Sequence, residues 1–393
     1  MPPHDGVPYA YFPRLGGDPA RGLLATGLAE VAHDPAALDR PGWWAVVGGF
    51  DGEWTCARFT DLRWAALPAG AWTGPAPDSW DTSLDQAQYE RGVRDIRRYI
   101  AAGDVYQVNL CRVLSAPLEG PAAAPDGVDD HNSPAGLARR LMEGNPAPYA
   151  GVIDLPDHGI RVVSASPELF LRRDGDLVAS SPIKGTGRTE ADLLPKDTAE
   201  NVMIVDLVRN DLAQVARTGT VTVTQLCAVE KHPGLVHLVS TVTAQLRPDT
   251  TWPRLLAAAF PPGSVSGAPK LSALRIIEEL ETAPRGPYCG AIGWVDNRGA
   301  GGQDTESLST DGQSTDGPGN QAAGPGPSSL CSALLAVGIR TFWIESGPDG
   351  ESRAGLKFGT GAGITWGSDP LGEWRETRLK AARLIALASR RPG

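Results

Sequence analysis

Residues 297–329 consist almost entirely of Gly, Ser, Asp, Gln, Thr, Asn and Pro, with hardly any apolar side chain. Such a segment cannot bury enough apolar surface to offset the entropy lost on ordering, so we expect a disordered insert there. Strand-like patterns stand on both sides of it, at 290–295 and 334–344. The core must therefore form from the two parts of the chain that flank this insert, which sits where a shorter hairpin connection would serve.

The N-terminal part, residues 1–90, is rich in Trp, Pro and Gly and contains strand-like pieces broken by glycine turns. We predict a β-rich flank over 1–90 that packs its indoles into a core; a pocket for an aromatic effector is the alternative. Six of the eleven tryptophans lie there, namely Trp43, Trp44, Trp54, Trp64, Trp72 and Trp80.

The rest of the chain mixes helical and strand periodicities. Apolar residues that recur every three or four positions predict helices at 86–102, 195–215, 270–281 and 370–389. Alternating or short apolar runs predict strands at 105–114, 149–153, 161–164, 219–224, 236–245 and 357–364.

Charge and cysteine usage exclude several classes of protein. The net charge of −10, without any long basic run, argues against a nucleic-acid partner. The apolar runs are too short to span a membrane. The five cysteines form no CxxC pair and imply neither a zinc site nor a disulfide framework, so we expect a cytoplasmic protein with reduced thiols.

Two acidic pairs share a helical spacing of three residues: Asp197 with Glu200, and Glu373 with Glu376. Such pairs lie on one helix face, where like charges repel unless a cation binds them. A hard cation such as Mg²⁺ takes a few carboxylates and completes its shell with water and substrate oxygens. The alternative is that acidic residues in a first turn merely favour the helix dipole.

Lys184 follows a strand-like run and precedes a glycine. Burial and cationic neighbours can lower the pKa of a lysine until the amine becomes a nucleophile, whereas a charged lysine would grip an anion. Glu168 stands beside apolar strand residues. It is either a buried acid with a raised pKa, suited to proton donation, or an exposed edge residue.

Further candidates are anion-binding groups. Arg340 lies within an otherwise apolar strand pattern, where it needs either a substrate carboxylate or a structural ion pair. The glycines of 359–363 could bring backbone N–H groups close to an anion or form a plain turn, and they match no phosphate loop. His237 lies on an apolar strand as a core or a catalytic residue.

Taken in order, nine motifs resemble the chorismate-utilising enzymes, a family that includes anthranilate, aminodeoxychorismate, isochorismate and salicylate synthases. The resemblance covers about residues 90 to 390 apart from the insert. The motifs are GDVYQVNL from Gly103, SPE from Ser166, PIKGT from Pro182, AEN to DLVRNDL over 199–212, VHLVS from Val236, PGSVSGAPK from Pro262, YCGAIG from Tyr288, IRT from Ile339 and EWRET from Glu373.

The resemblance implies an α+β fold with two large, mainly antiparallel sheets around a central cleft, helices outside, and a chorismate-binding catalytic domain over 91–393. It implies chorismate as substrate and Mg²⁺ as cofactor. It also implies roles for single residues: Lys184 and Glu168 as catalytic nucleophile and acid; Glu200 and Glu376 as Mg²⁺ ligands, with Asp197 and Glu373 supporting through water; and Arg340, Tyr288, His237, Ser266, Gly361, Gly363 and Thr186 as substrate-binding residues.

Two positions separate the branches of the family. Members that add water at C2 carry a lysine base where this chain has Gln107, so isochorismate and salicylate formation are disfavoured. Anthranilate synthases carry a small residue where this chain has Lys184, whereas the aminodeoxychorismate enzymes carry lysine. The resemblance therefore favours amination of chorismate at C4 through a covalent Lys184 intermediate, for p-aminobenzoate and folate; anthranilate synthase component I, or a p-aminobenzoate-supplying relative in specialised metabolism, is the alternative.

The sequence also predicts what must come from elsewhere. It lacks a glutaminase nucleophile with its His and Glu, so a separate glutamine amidotransferase subunit is expected to supply ammonia. No lyase domain is evident, so a separate aminodeoxychorismate lyase would release pyruvate. The family usually continues Lys-Gly-Thr with Arg-Pro-Arg, but this chain has Gly187, Arg188 and Thr189, so anion contacts just after the nucleophile differ.

Overall fold

The computed structural model describes residues 6–13, 21–118, 131–187, 189–193, 195–232, 235–299, 331–345 and 354–390. The described strands are β1 Tyr9–Pro13, β2 Gly22–Ala32, β3 Trp43–Gly48, β4 Trp54–Ala65, β5 Asp81–Thr82, β6 Gln107–Pro117, β7 Tyr149–Leu155, β8 Ile160–Ser166, β9 Leu169–Asp174, β10 Leu177–Ser181, β11 Ile183–Gly187, β12 Thr222–His232, β13 Leu235–Gln245, β14 Gly267–Ala268, β15 Ala291–Asp296, β16 Ser332–Val337, β17 Thr341–Glu345 and β18 Gly355–Ile364. The described α-helices are α1 Gln86–Ala102, α2 Pro134–Gly144, α3 Pro195–Ala213, α4 Trp252–Ala259, α5 Lys270–Leu280 and α6 Pro370–Ala388.

Antiparallel pairing connects these strands into one hydrogen-bonded network, and it confirms the expected α+β class. Two hydrophobic clusters pack against the sheet: a large one that takes in α1, α3, α4 and α5, and a smaller one beneath α2 and part of α6. No helix in the described part of the chain is long and apolar enough to cross a membrane.

Four helices lie where the sequence predicts them, because each carries its own start or stop signal. For α1, Asp85 and Gln88 form a capping box, and Gly103 ends the helix with φ 85°. Asp369 accepts a hydrogen bond from Gly372 N at the start of α6. The sequence patterns do not predict α2 and α4, which are only 11 and 8 residues long.

The strand predicted at 334–344 is wrong in one respect, because it is two strands, β16 and β17. Arg340 lies at the corner between them with φ 52°, a left-handed conformation that interrupts the ladder. Its carbonyl accepts a hydrogen bond from Ala165 N on β8. The prediction that Arg340 lies inside a strand therefore fails, and the side chain projects from a bend instead.

Tryptophans of the N-terminal flank pack as predicted. Trp43 and Trp44 are at most 1% exposed, and the Trp54 ring lies 4.9 Å from that of Phe260. Strands of the flank also pair with later strands, β1 with β7 and β3 with β15. The domain division at residue 90 stays a prediction.

The two strands beside the insert, β15 and β16, pair antiparallel from Ala291 opposite Val337 to Asp296 opposite Ser332. The insert therefore joins two paired strands, as the sequence predicts. Residues 300–330 lie outside the described residues, so the disorder predicted for this insert stays a prediction.

Candidate active site

The site lies where β6, β11 and β18 approach α3 and α6. β6 and β18 pair over ten residues, from Pro117 opposite Gly355 to Val108 opposite Ile364. Thr360 Oγ1 on β18 donates to Thr377 O on α6 at 3.0 Å, which fixes α6 against this pair. On the other side α3 packs on β11, β12 and β13.

Lys184 is on β11, at an irregularity of the sheet. The register against β13 shifts between Ile183 and Thr186, and Gly185 has φ 84°. Such a bulge re-aims a side chain out of the normal alternation. A side chain at Gly185 would meet the Asp197 Cβ at 2.8 Å, so only glycine allows α3 to approach so closely. The bulge directs the Lys184 amine to the Ser264 carbonyl, 3.0 Å from Nζ.

The electrostatic setting of Lys184 opposes its charge. Burial lowers the pKa of its amine, although the carboxylates of Glu200 and Glu168 act in the opposite direction. Lys380 lowers the pKa further, because a second cation disfavours protonation. A lysine in this setting has a larger neutral fraction near pH 7 than one in water, which is the requirement for nucleophilic attack.

Glu168 lies between β8 and β9 and is 4% exposed, so the alternative of an exposed edge residue is wrong. Its backbone is fixed from two sides: the carbonyl accepts from Val337 N at 2.9 Å, and the N–H donates to Ser166 Oγ at 3.2 Å. Burial raises the pKa of its carboxyl to about 7, although a hydrogen bond from the Ser264 hydroxyl and the charge of Lys184 act against the shift. A carboxylic acid with this pKa can donate a proton at neutral pH.

Ser264 therefore touches both candidate catalytic groups. Its carbonyl accepts from the Lys184 amine, and its hydroxyl hydrogen-bonds the Glu168 carboxyl. Ser264 is 5% exposed and lies in a short 3₁₀ turn, Gly263–Val265. One residue thus contacts an amine and a carboxyl that are sixteen positions apart in sequence.

Gln107 presents an unsatisfied amide at the same place. It is fully buried, and neither its Nε2 nor its Oε1 has a hydrogen-bond partner among the described residues. A Cβ built on Gly363 would meet Gln107 Nε2 at 2.6 Å and Lys184 Nζ at 3.5 Å, so the amide and the amine approach the same point. Buried polar groups are rarely left unpaired, so this amide is suited to a polar group of a ligand.

Carboxylates approach the amine from two helices. Asn201 Nδ2 donates to Leu238 O at 3.0 Å, which anchors α3 on β13 next to Glu200. Glu376 on α6 forms an ion pair with Lys380 at 2.7 Å. The charges of Glu200 on α3 and Glu376 on α6 both act to raise the pKa of the Lys184 amine, so both carboxylates act electrostatically on that amine.

These carboxylates are the residues that could hold a divalent cation. Among the described residues, no three His, Cys, Asp or Glu side chains form a metal centre by themselves. Mg²⁺ commonly uses one or two carboxylates and fills its shell with water and substrate oxygens, so the pair of Glu200 and Glu376 fits it. Asp197 and Glu373 lie one turn earlier on the same helices.

Arg340 and Tyr288 lie beside the middle of β18, because Arg340 precedes the strand in which Phe342 lies opposite Phe358, and the Tyr288 ring lies against Gly359. Burial lowers the pKa of the Arg340 guanidinium, and its side chain forms no ion pair among the described residues, so the structural ion pair considered from the sequence is not found there. Tyr288 is 5% exposed, and its ring lies against Gly359, where any Cβ would come within 2.0 Å of it. The Gly361 carbonyl accepts from Lys380 Nζ at 3.1 Å.

The remaining candidates line β13 and the 3₁₀ turn. His237 is 2% exposed and lies opposite Thr186 in the β11–β13 register. Ser266 is fully buried, and its hydroxyl donates to Pro262 O at 3.0 Å. The sequence departure after Lys184 includes residue 188, which lies outside the described residues.

The residues predicted from the sequence do not include Ser264, Glu281 and Arg285. Ser264 stands in a quoted motif, but nothing local distinguishes it from Ser266. Arg285 lies in the turn between α5 and β15, where no periodicity marks a buried cation.

A family profile for chorismate binding enzymes matches residues 55–302 and 328–386. Aminodeoxychorismate synthase component 1 of Klebsiella aerogenes is 38% identical over 320 residues, which cover 73% of this chain and 67% of that protein. Anthranilate synthase component 1 of Streptomyces coelicolor is 36% identical over 338 residues, which cover 83% of this chain and 55% of that protein. The chain thus spans between about half and two thirds of the length of these relatives.

The fold is similar to that of a solved anthranilate synthase component I from Streptococcus pneumoniae. The TM-score is 0.70, and the match covers 94% of this chain and 93% of the other. The identity is 22%, so this likeness concerns the fold alone.

Proposed function

This chain belongs to the family of chorismate binding enzymes, and we propose that it forms 4-amino-4-deoxychorismate from chorismate and ammonia. The observation that carries the proposal is the pairing of Lys184 with Glu168 through Ser264, because it sets an amine whose pKa is lowered by burial beside an acid whose pKa is about 7. An amine that merely gripped an anion would gain nothing from a lowered pKa.

The proposed reaction has two displacements. The Lys184 amine forms a bond to C2 of chorismate, both conjugated ring double bonds shift, and the C4–O bond breaks. Glu168 donates its proton to the departing hydroxyl, which leaves as water, while the attacking nitrogen loses a proton. Ammonia then forms a bond at C4 and loses a proton, both double bonds shift back, and the bond between C2 and the Lys184 nitrogen breaks as that nitrogen takes up a proton. The neutral amine is thereby restored.

Other groups of the chain bind and orient the substrate. The Arg340 guanidinium is suited to a carboxylate, and the Gln107 amide, which has no base character, to a ring substituent or a bound nucleophile. Mg²⁺ held by Glu200 and Glu376, with Asp197 and Glu373 supporting them, would neutralise the negative charge of a substrate carboxylate when bound.

Ammonia is proposed to come from a separate glutamine amidotransferase, and a separate lyase to act on the product. The relatives are named as component 1, which supports a second subunit. We propose that the enzyme acts in the reducing cytoplasm, where cysteines stay as thiols.

Product identification tests the proposal. Protein, chorismate, Mg²⁺ and an ammonium salt are incubated, and the products are resolved by mass spectrometry with and without an added lyase. Aminodeoxychorismate, converted to p-aminobenzoate only with the lyase, is expected. Fluorescent anthranilate formed without the lyase would overturn the proposal in favour of the activity for which the Streptomyces relative is named.

A further inference from the structure

A buried arginine outside the candidate catalytic groups joins β6 to the 3₁₀ turn that contacts those groups. Arg285 is 1% exposed, and its guanidinium binds both carboxylate oxygens of Glu281, with Nε to Oε2 at 2.8 Å and Nη2 to Oε1 at 2.6 Å. Its Cζ also lies 4.0 Å from the centroid of the Phe50 ring. The charge is therefore fully paired and shielded from water.

The same guanidinium donates to two backbone carbonyls. Nη1 donates to Val265 O at 2.9 Å, and Nη2 donates to Asn109 O at 2.7 Å. Glu281 adds a third backbone contact, because its Oε1 accepts from Cys111 N at 2.8 Å. The ion pair thus ties β6 to the 3₁₀ turn that contains Ser264.

The position of Val265 makes this contact relevant to the chemistry. Val265 follows Ser264, the residue whose carbonyl holds the Lys184 amine and whose hydroxyl holds the Glu168 carboxyl. A second bond, from Asn109 N to Ser266 O at 2.8 Å, secures the far side of the turn. The turn has little regular structure of its own, since it is only three residues long.

We infer that Arg285 is a positioning residue, which acts through the Val265 carbonyl on Ser264 and so sets the distance between the Lys184 amine and the Glu168 carboxyl. The inference rests on the proposed function, in which these two groups are nucleophile and acid. A planar guanidinium suits this task, because it donates in fixed directions to several acceptors at once, whereas the ammonium of lysine is a point charge on a flexible stem.

The test compares Arg285→Lys and Arg285→Met with the control Arg161→Met. Arg161 forms a partly buried ion pair with Asp154 at 3.0 Å on the β7–β8 hairpin, away from the turn. Chorismate consumption is measured against pH at a constant concentration of free ammonia, together with KM for chorismate and the melting temperature.

We expect Arg285→Lys to remain folded and to lose about 100-fold in kcat with little change in KM, because a displacement of about 1 Å costs a factor of this size. Loss of the Ser264 hydrogen bond should also move the alkaline limb of the pH profile to higher pH, because that bond lowers the pKa of Glu168. Arg161→Met should lower the melting temperature without moving the limb.

Each possible result either supports or contradicts the positioning role of Arg285. If Arg285→Lys folds and keeps both the wild-type kcat and the wild-type alkaline limb of the pH–rate profile, the inference is overturned. It is also overturned if a lower melting temperature is the only defect of Arg285→Met. Ser264→Ala should move the alkaline limb of the pH–rate profile in the same direction as Arg285→Lys. The double variant should show no larger shift than Ser264→Ala alone. Additive shifts would contradict the inference that Arg285 acts through Ser264. Because consumption of chorismate is followed, these results stand whichever product forms, and product identification alone decides the proposed function.

Discussion

Substitution of Glu168 by glutamine should impair the enzyme while stabilising the fold, and the second effect depends on pH. The carboxyl is 4% exposed, and burial raises its pKa from 4.5 to about 7. The unfolded chain therefore loses this proton at lower pH than the folded chain. The free energy of unfolding of the wild type falls as the pH rises from about 4.5 to about 7, and it stays low above that window.

The size of the change in unfolding free energy follows from the pKa shift of Glu168. Each unit of pKa difference corresponds to about 1.4 kcal/mol, so the buried carboxylate costs on the order of 3 kcal/mol above neutral pH. Glutamine does not ionise and escapes this cost. Relative to wild type, Glu168→Gln should gain up to about 3 kcal/mol at pH ~8 and none of that gain below pH ~4.5.

The catalytic rate of Glu168→Gln should fall, although its stability rises. Loss of a general acid lowers kcat by about 10²- to 10⁴-fold. In the wild type the rate should fall about tenfold for each pH unit above 7, since only the protonated Glu168 can donate. On the acidic side the rate should rise with pH, since a larger fraction of Lys184 amine becomes neutral.

Urea denaturation at about pH 5 and pH 8, and pH–rate profiles at fixed free ammonia, measure both effects. Asp206→Asn is the control, because the Asp206 side chain is 75% exposed. A stability difference between Glu168→Gln and wild type that stays constant across pH would show that the carboxyl is not raised by burial. An alkaline limb that survives in Glu168→Gln would show that another group is the acid.

Three further predictions concern the same site. Lys184→Ala should abolish aminodeoxychorismate formation, as measured by mass spectrometry, and wild-type-like product from it would refute the nucleophile. Glu200→Gln should raise the Mg²⁺ concentration for half-maximal rate about tenfold or more, as judged by titration, and an unchanged metal response would contradict its role as ligand. Gly363→Ala should cost about 100-fold in kcat, because its Cβ would meet Gln107 Nε2 at 2.6 Å. Gly367→Ala, which has no atom within 4 Å of the added carbon, should retain wild-type activity in the same assay, and equal losses in both would refute the steric argument.

Local signals were sufficient for several elements. The helices α1, α3, α5 and α6 could be predicted because apolar spacing, caps and terminal prolines act within a few residues. The break between β16 and β17 could not, because Arg340 adopts its left-handed conformation in a tertiary corner against Ala165. An apolar run alone does not show where a ladder ends.

The sequence by itself determined the family and the candidate residues, since Lys184, Glu168 and the acidic pairs stand in recognisable motifs. Only the tertiary structure decided how they meet. The bulge at Gly185 aims the Lys184 amine, Ser264 contacts that amine from 80 residues further along the chain, and Arg285 fixes the turn across 176 residues to Asn109. Periodicity and propensity act over a few residues, whereas such contacts depend on how strands and helices pack, so no local pattern records them.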